Sequence, residues 1–342
     1  MNTQALTFTR FIAALGVVVF HYGGEAFPFD HGTLHQLAMN GNIGVSYFFF
    51  LSGFVMTIAY GAKAQQGKLK VLHYLQNRFS RIYPLYLFAL AFFFWQTHLA
   101  WGQEVFNLQT LVNVLLIQAW VPGWELSLNY PGWSLSVEFF LYVTFPFLLR
   151  LFLKINNIRA LLVTAIVWFI TQGISLTGTV SDYHPLIHLS TFMAGMITAL
   201  TLKQFNESGD RLLHRPLLVS LFALMMLVAT FASSGWIIRE GHNGLLVPLY
   251  GLFVVGLVQN QYFLNRWLSI RPLQFLGEIS YGVYILQYPT LMLTQYLNRI
   301  SGDAMYASKT QEFYLFVALL LILSTGAYYL IELPAKRFIR SL

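Results

Sequence analysis

The feature that most limits what this chain can become is a succession of apolar runs of bilayer length, joined by short polar links. About 20 apolar residues in a helix rise about 30 Å, the thickness of a bilayer's hydrocarbon core. The runs fall at 6–23, 43–61, 82–101, 135–153, 160–177, 185–202, 216–234, 244–263, 275–297 and 312–333. Composition agrees. Charged residues are 10% of the 342 and hydrophobic residues 57%. A soluble domain carries about 25% charged residues, so this chain has too few to cover a surface facing water. The expected fold is an all-α integral membrane protein, a bundle of about ten transmembrane helices. The stretch 108–121 is apolar but short. It suits a re-entrant or interfacial segment, and would make an eleventh span if it crossed.

The basic residues orient the bundle. With the N-terminus in the cytoplasm and ten spans, every Lys and Arg except Arg239, Arg299 and Lys309 falls on the cytoplasmic side. The outer links instead hold Glu25, Asp30, Glu104, Glu125, Asp182, Glu240, Asp303 and Glu312. That asymmetry obeys the positive-inside rule. An eleventh span would put every link after residue 121 on the wrong side, so both termini are expected in the cytoplasm. The run Leu6–Tyr22 contains Arg10 and His21, and no small-residue cleavage site follows. It is expected to be a retained first helix rather than a signal peptide. The remaining links are short, so 1–342 is expected to be a single transmembrane domain with no appended soluble domain. The net charge of +7 sits at membrane ends, where it meets anionic lipid. No nucleic-acid motif is present. The absence of cysteine excludes disulfides, thiol catalysis and Cys-based metal sites. The nine histidines have no paired ligand spacing, and no metal is expected; His184 and His188 suit hydrogen bonding.

Ionisable residues inside a span are costly and usually face the protein interior. Arg10 and His21 lie eleven positions apart on the first run. On a helix they share one face, separated by about 16 Å. A cation at one end and an imidazole at the other suit the lining of a cavity. Arg10 is equally placed to snorkel to headgroups. Arg78 and Arg81 are three apart, so on a helix they point the same way. Paired guanidiniums suit phosphate, or lipid headgroups as a topogenic charge. In Tyr130-Pro131-Gly132-Trp133-Ser134-Leu135-Ser136-Val137-Glu138 a carboxylate follows a Pro-Gly break by about a turn and a half. It suits an acid, a base or the orientation of a histidine, or a bond to a neighbouring helix end. Gly41, Gly44 and Ser52-Gly53 suit close helix approach.

Taken together, these segments resemble the acyltransferase 3 family of membrane O-acyltransferases. Arg10 to His21 looks like the family's Arg-x10-His signature. Gly41 to Phe54 resembles its G-x-x-G-V-x-x-F-F-x-L-S-G-F run, and Arg78 to Pro84 its R-x-x-R-I-x-P segment. Trp133 to Glu138 matches W-S-L-x-x-E. Phe275 to Tyr284 resembles L-G-x-I-S-Y-x-x-Y, and Glu332-Leu333-Pro334 with the basic tail fits the usual finish. One position departs: where the family often has histidine before a proline, this chain has Gln287. Glutamine donates and accepts hydrogen bonds but takes no proton at neutral pH.

The resemblance implies an acetyl or similar acyl group carried from cytoplasmic acetyl-CoA (acyl-CoA), a donor substrate and not a resident cofactor. The acceptor it implies is a hydroxyl of a carbohydrate or lipid-linked glycan, and the location a bacterial plasma (inner) membrane. His21 would be the general base, or would carry the acyl group as an acyl-imidazole. Glu138 would orient His21 or stabilise its imidazolium, and Arg10 would place the donor. Arg78 and Arg81 would hold CoA phosphates, and Trp133, Ser134, Tyr281 and Gln287 would contact substrate. Two alternatives stay open: a multi-helix transporter or flippase, and a non-catalytic component of surface-polysaccharide assembly.

Overall fold

In the computed structural model, which describes residues 3–102, 107–208, 212, 215–232, 243–259 and 264–341, all regular structure is helical. Glu104, Arg211, Arg239, Glu240 and the ends of the spans expected at 216–234 and 244–263 lie outside the described residues. The helices are α1 (Ala5–Tyr22), α2 (Gly32–Ala38), α3 (Ile43–Gln65), α4 (Val71–Trp101), α5 (Leu108–Val114), α6 (Trp133–Lys154), α7 (Asn157–Leu176) and α8 (Leu189–Glu207). They continue as α9 (Pro216–Ala232), α10 (Val247–Gln259), α11 (Leu264–Leu268), α12 (Arg271–Ile285), α13 (Gln287–Ile300), α14 (Lys309–Ala327) and α15 (Leu333–Ser341). Among the described residues, six helical segments are long and apolar enough to cross a membrane, and two shorter apolar helices lie at Pro216–Ala229 and Val247–Gln259. The chain is an all-α membrane protein.

Three expected segments differ. Residues 71–81 precede the apolar run and look like a link, yet they are the first turns of α4, which is 31 residues long. Arg78 and Arg81 therefore ride on a helix, on adjoining positions of one face. The segment 108–121 makes the seven-residue α5 and a single 3-10 turn. A helix of that length rises only about 10 Å, too little to cross. The run 275–297 is two helices, α12 and α13, broken at Leu286. Pro289 has no N–H to offer the carbonyl of Ile285, four residues back. Asn129 Nδ2 donates to that carbonyl instead, at 3.0 Å.

Packing follows small residues. Helices α3 and α8 lie along one another, as do α1 and α12. A Cβ on Gly53 would sit 2.1 Å from Phe192 O, and one on Gly195 would sit 2.1 Å from Phe50 O. Each glycine of this pair thus admits the other helix's backbone, a close crossing that lipid tails cannot drive and only small residues permit. The core joins α1, α3, α4, α6, α8, α12 and α14 through residues such as Val18, Phe49, Tyr86, Phe145, Phe192, Val283 and Phe316. By contrast α7 exposes Leu161, Leu162, Ile166, Phe169 and Ile170. Among the described residues nothing covers that stripe, which suits acyl chains.

Candidate active site

Two cavities lie one above the other along α1. The inner one, about 80 Å³, is lined by Arg10, Arg78, Arg81, Ser134, Glu138 and Tyr281, together with Ser52, Tyr142 and apolar residues of α3. The outer one, about 580 Å³, holds His21, Tyr130, Trp133, Asp182, Tyr183 and His188. The α1 period explains the division. Arg10 and His21 share a face, and each opens into a different chamber.

Three guanidiniums converge on the inner cavity from two helices. None of Arg10, Arg78 and Arg81 lies within ion-pair distance of a described carboxylate. Arg78 donates to Tyr60 Oη at 3.3 Å and lies over that ring, 5.5 Å from its centroid. Its Nε is buried without a hydrogen-bond partner. Glu138 is the carboxylate among the lining residues. One of its oxygens, Oε1, accepts both from Ser52 Oγ, at 3.1 Å, and from the Tyr142 hydroxyl. Within the electrostatic reach of Arg10 lie Arg81, Glu138 and Glu332. Three cations face one carboxylate in the cavity lining, and Glu332 nearby is already paired with Lys336 at 3.0 Å, which leaves a surplus of positive charge; unpaired charge in a low-dielectric interior is costly. An anionic ligand of phosphate type would relieve it.

Glu138 does not reach His21, contrary to the sequence expectation. Along α6, Ser134, Glu138 and Tyr142 follow at four-residue intervals and share a face, which turns to the inner cavity. Trp133 faces the outer one. Its ring meets Tyr183 at 4.9 Å and His188 at 5.4 Å.

The partner of His21 is Gln287. Gln287 Nε2 donates to Tyr284 O at 2.7 Å, and a carbonyl can only accept. That fixes the amide with Oε1 toward the imidazole, 2.9 Å from His21 Nδ1. An amide oxygen also only accepts, so Nδ1 carries the hydrogen. In the neutral ring Nε2 then holds the lone pair. Tyr130 packs edge-on to the imidazole at 4.9 Å, and its hydroxyl is bonded to that of Tyr22. Gln287 is fully buried, so it stands behind His21 as a support rather than facing an open chamber. Tyr281 lines the inner cavity, with its hydroxyl donating to Ile82 O at 2.5 Å. Ser134 donates to Pro131 O at 3.0 Å.

Sequence reasoning missed Tyr142 and Tyr60. A Glu-x-x-x-Tyr spacing on α6 was a visible signal for the first. Nothing local announces Tyr60, which reaches Arg78 from another helix. Nor does sequence position announce the outer wall made by Asp182, Tyr183 and His188. Burial, with the Asp182 and Glu125 carboxylates nearby, pushes the Tyr183 phenol up, so at neutral pH it remains a hydrogen-bond donor. His188 Nε2 donates to Asp182 O at 2.9 Å, which shapes the turn into α8.

A family model described as an acyltransferase domain, acyltransferase 3, matches residues 3–333. The chain is 28% identical over 341 residues to Acyltransferase MdmB of Streptomyces mycarofaciens, covering 88% of this chain and 81% of that protein. It is 22% identical over 368 residues to O-acetyltransferase OatA of Staphylococcus aureus, covering 96% of this chain and 56% of that one. Putative peptidoglycan O-acetyltransferase YrhL of Bacillus subtilis is 24% identical over 361 residues, with 96% and 54% covered. The chain thus spans little more than half the length of these last two relatives. No solved structure matches it.

Proposed function

The chain belongs to the acyltransferase 3 family, and on that premise we propose that it is a membrane O-acyltransferase. It moves an acetyl or similar short acyl group from cytoplasmic acyl-CoA to a hydroxyl of a carbohydrate or lipid-linked glycan. The observation that carries this reading is that three guanidiniums line the inner cavity, none of them ion-paired with a described carboxylate. Of these, Arg10 shares one face of α1 with His21, about 16 Å away along the helix. Arg78 and Arg81 hold donor phosphates, and Arg10, lining the same cavity, helps to place the donor.

At the outer end His21 Nε2 takes the proton from the acceptor hydroxyl as its oxygen attacks the thioester carbonyl carbon. The new ester bond forms, the carbon–sulfur bond breaks, and the departing thiolate takes a proton from the imidazolium. Gln287 Oε1 holds Nδ1–H throughout. Glu138, fixed by Ser52 and Tyr142, balances part of the arginine charge. The acceptor lies in the outer chamber, where the Trp133 and Tyr183 rings and the Asp182 carboxylate suit an acceptor with apolar faces and hydroxyl edges.

We place the protein in a bacterial inner membrane with ten membrane segments and both termini cytoplasmic. The six long apolar segments support this, together with α4, α9, α10 and the broken pair α12–α13, and so does the positive-inside distribution of Lys and Arg. The whole of residues 1–342 acts as a single domain in this reading. Its test is vectorial transfer. Inverted vesicles carrying the protein receive labelled acetyl-CoA outside and N-acetylglucosamine oligomers inside. Label covalently bound to the enclosed oligomers supports the reading. Oligomers carried across without label favour a transporter instead.

A further inference from the structure

Among the described residues, Val45 and Tyr284 alone line both the inner and the outer cavity. Both are buried, at 6% and 5% exposure. We propose that Val45 and Tyr284 form a septum between the arginine chamber and the His21 chamber, and that the room they leave selects the size of the acyl group that reaches His21. This rests on the acyl-CoA reading above.

The septum is built to hold its shape. Val45 follows Gly44, and a Cβ on Gly44 would lie 2.7 Å from Ala13 O. That glycine seats α3 directly on α1, so the backbone carrying Val45 cannot draw back. On the opposite side, the Tyr284 hydroxyl donates to Pro131 O at 3.2 Å, and its ring meets Phe48 edge-on at 6.0 Å. Phe49 backs the wall: it lines the inner cavity while its ring lies 4.8 Å from that of His188 in the outer one. Tyr284 is also tied to the reacting imidazole, since its carbonyl accepts from the amide that supports His21. The geometry gives the septum two fixed edges, so the Val45 side chain sets the opening. One methylene more or less against the wall of a hydrophobic pocket changes discrimination by about 10- to 200-fold.

The experiment measures CoA release from acetyl-, propionyl- and butyryl-CoA by full-length protein in detergent, with water and N-acetylglucosamine oligomers as acceptors. Wild type, Val45→Ala and Val45→Ile are compared through the butyryl-to-acetyl ratio of kcat/KM, which a partial loss of folded protein leaves unchanged. Val45→Ala raises that ratio about 10-fold or more, and Val45→Ile lowers it or lowers propionyl turnover relative to acetyl. Ratios within twofold of wild type in both variants, with wild type active on acetyl-CoA, overturn the septum and leave the acyltransferase reading standing. A wild type that releases no CoA overturns that reading and the septum with it.

Discussion

Gln287 Oε1 lies 2.9 Å from His21 Nδ1, a contact between residues 266 positions apart. The same amide donates to Tyr284 O, so the imidazole has a fixed tautomer and a fixed tilt. A glutamine in this place performs the orienting half of what a charged partner would do. It cannot share the proton.

Replacing Gln287 with Ala removes that acceptor while leaving the arginine chamber intact. The variant is expected to lower kcat about 10- to 100-fold, the cost of one lost buried hydrogen bond expressed at the transition state. The donor KM is expected to stay within about twofold. Steady-state kinetics with acetyl-CoA as the varied substrate separate the two. A raised KM at unchanged kcat would assign Gln287 to donor binding instead.

The arginines carry the opposite signature. Arg78→Ala and Arg81→Ala are each expected to raise the donor KM about 10-fold or more, as loss of a charge-assisted contact does. Arg78→Lys keeps the charge but loses the planar fork, so it recovers activity only in part. Isothermal titration of acetyl-CoA against each variant reads the same loss as affinity.

Glu138 belongs with the arginines, and a double-mutant cycle tests that placement. On donor affinity, Arg10→Ala and Glu138→Gln are expected to couple by about 0.5–3 kcal/mol, as neighbours do. Gln287→Ala and Glu138→Gln are expected to add within about 0.5 kcal/mol in kcat, as separated sites do. Strong coupling in the second pair would return Glu138 to the imidazole.

Much of this was legible in the chain. The composition and run lengths give an all-α membrane protein, and the Arg10–His21 spacing gives a shared helix face, because both depend on local geometry alone. The break at Leu286 had its signal in Pro289, yet the apolar run on both sides masks it, since hydropathy does not register a missing N–H. The start of α4 was hidden for the opposite reason: Lys68, Lys70, Arg78 and Arg81 make residues 63–81 look like a link, although charged residues are compatible with a helix that emerges from lipid. Glu138 was misassigned because two groups in the outer parts of separate spans need not face each other. Which face of α6 meets α1 is set by tertiary packing, to which sequence period is blind.

The close crossing of α3 and α8 yields a stability prediction. Gly53→Ala places a methyl 2.1 Å from Phe192 O, a backbone atom that can yield only if the helices part. The variant is expected to lose about 1–3 kcal/mol, the usual cost of overpacking. Thermal unfolding in detergent reads it as a lower Tm. A Tm equal to wild type would mean that the two helices are not in contact at this point.

The most direct test of the account is CoA release from acetyl-CoA, with N-acetylglucosamine oligomers as acceptors, by wild type and His21→Ala in detergent. Wild type is expected to release CoA, and the variant to fall by about 100-fold or more, the scale of general-base catalysis. Equal release by both proteins would contradict the central claim that His21 Nε2, fixed by Gln287, moves the proton.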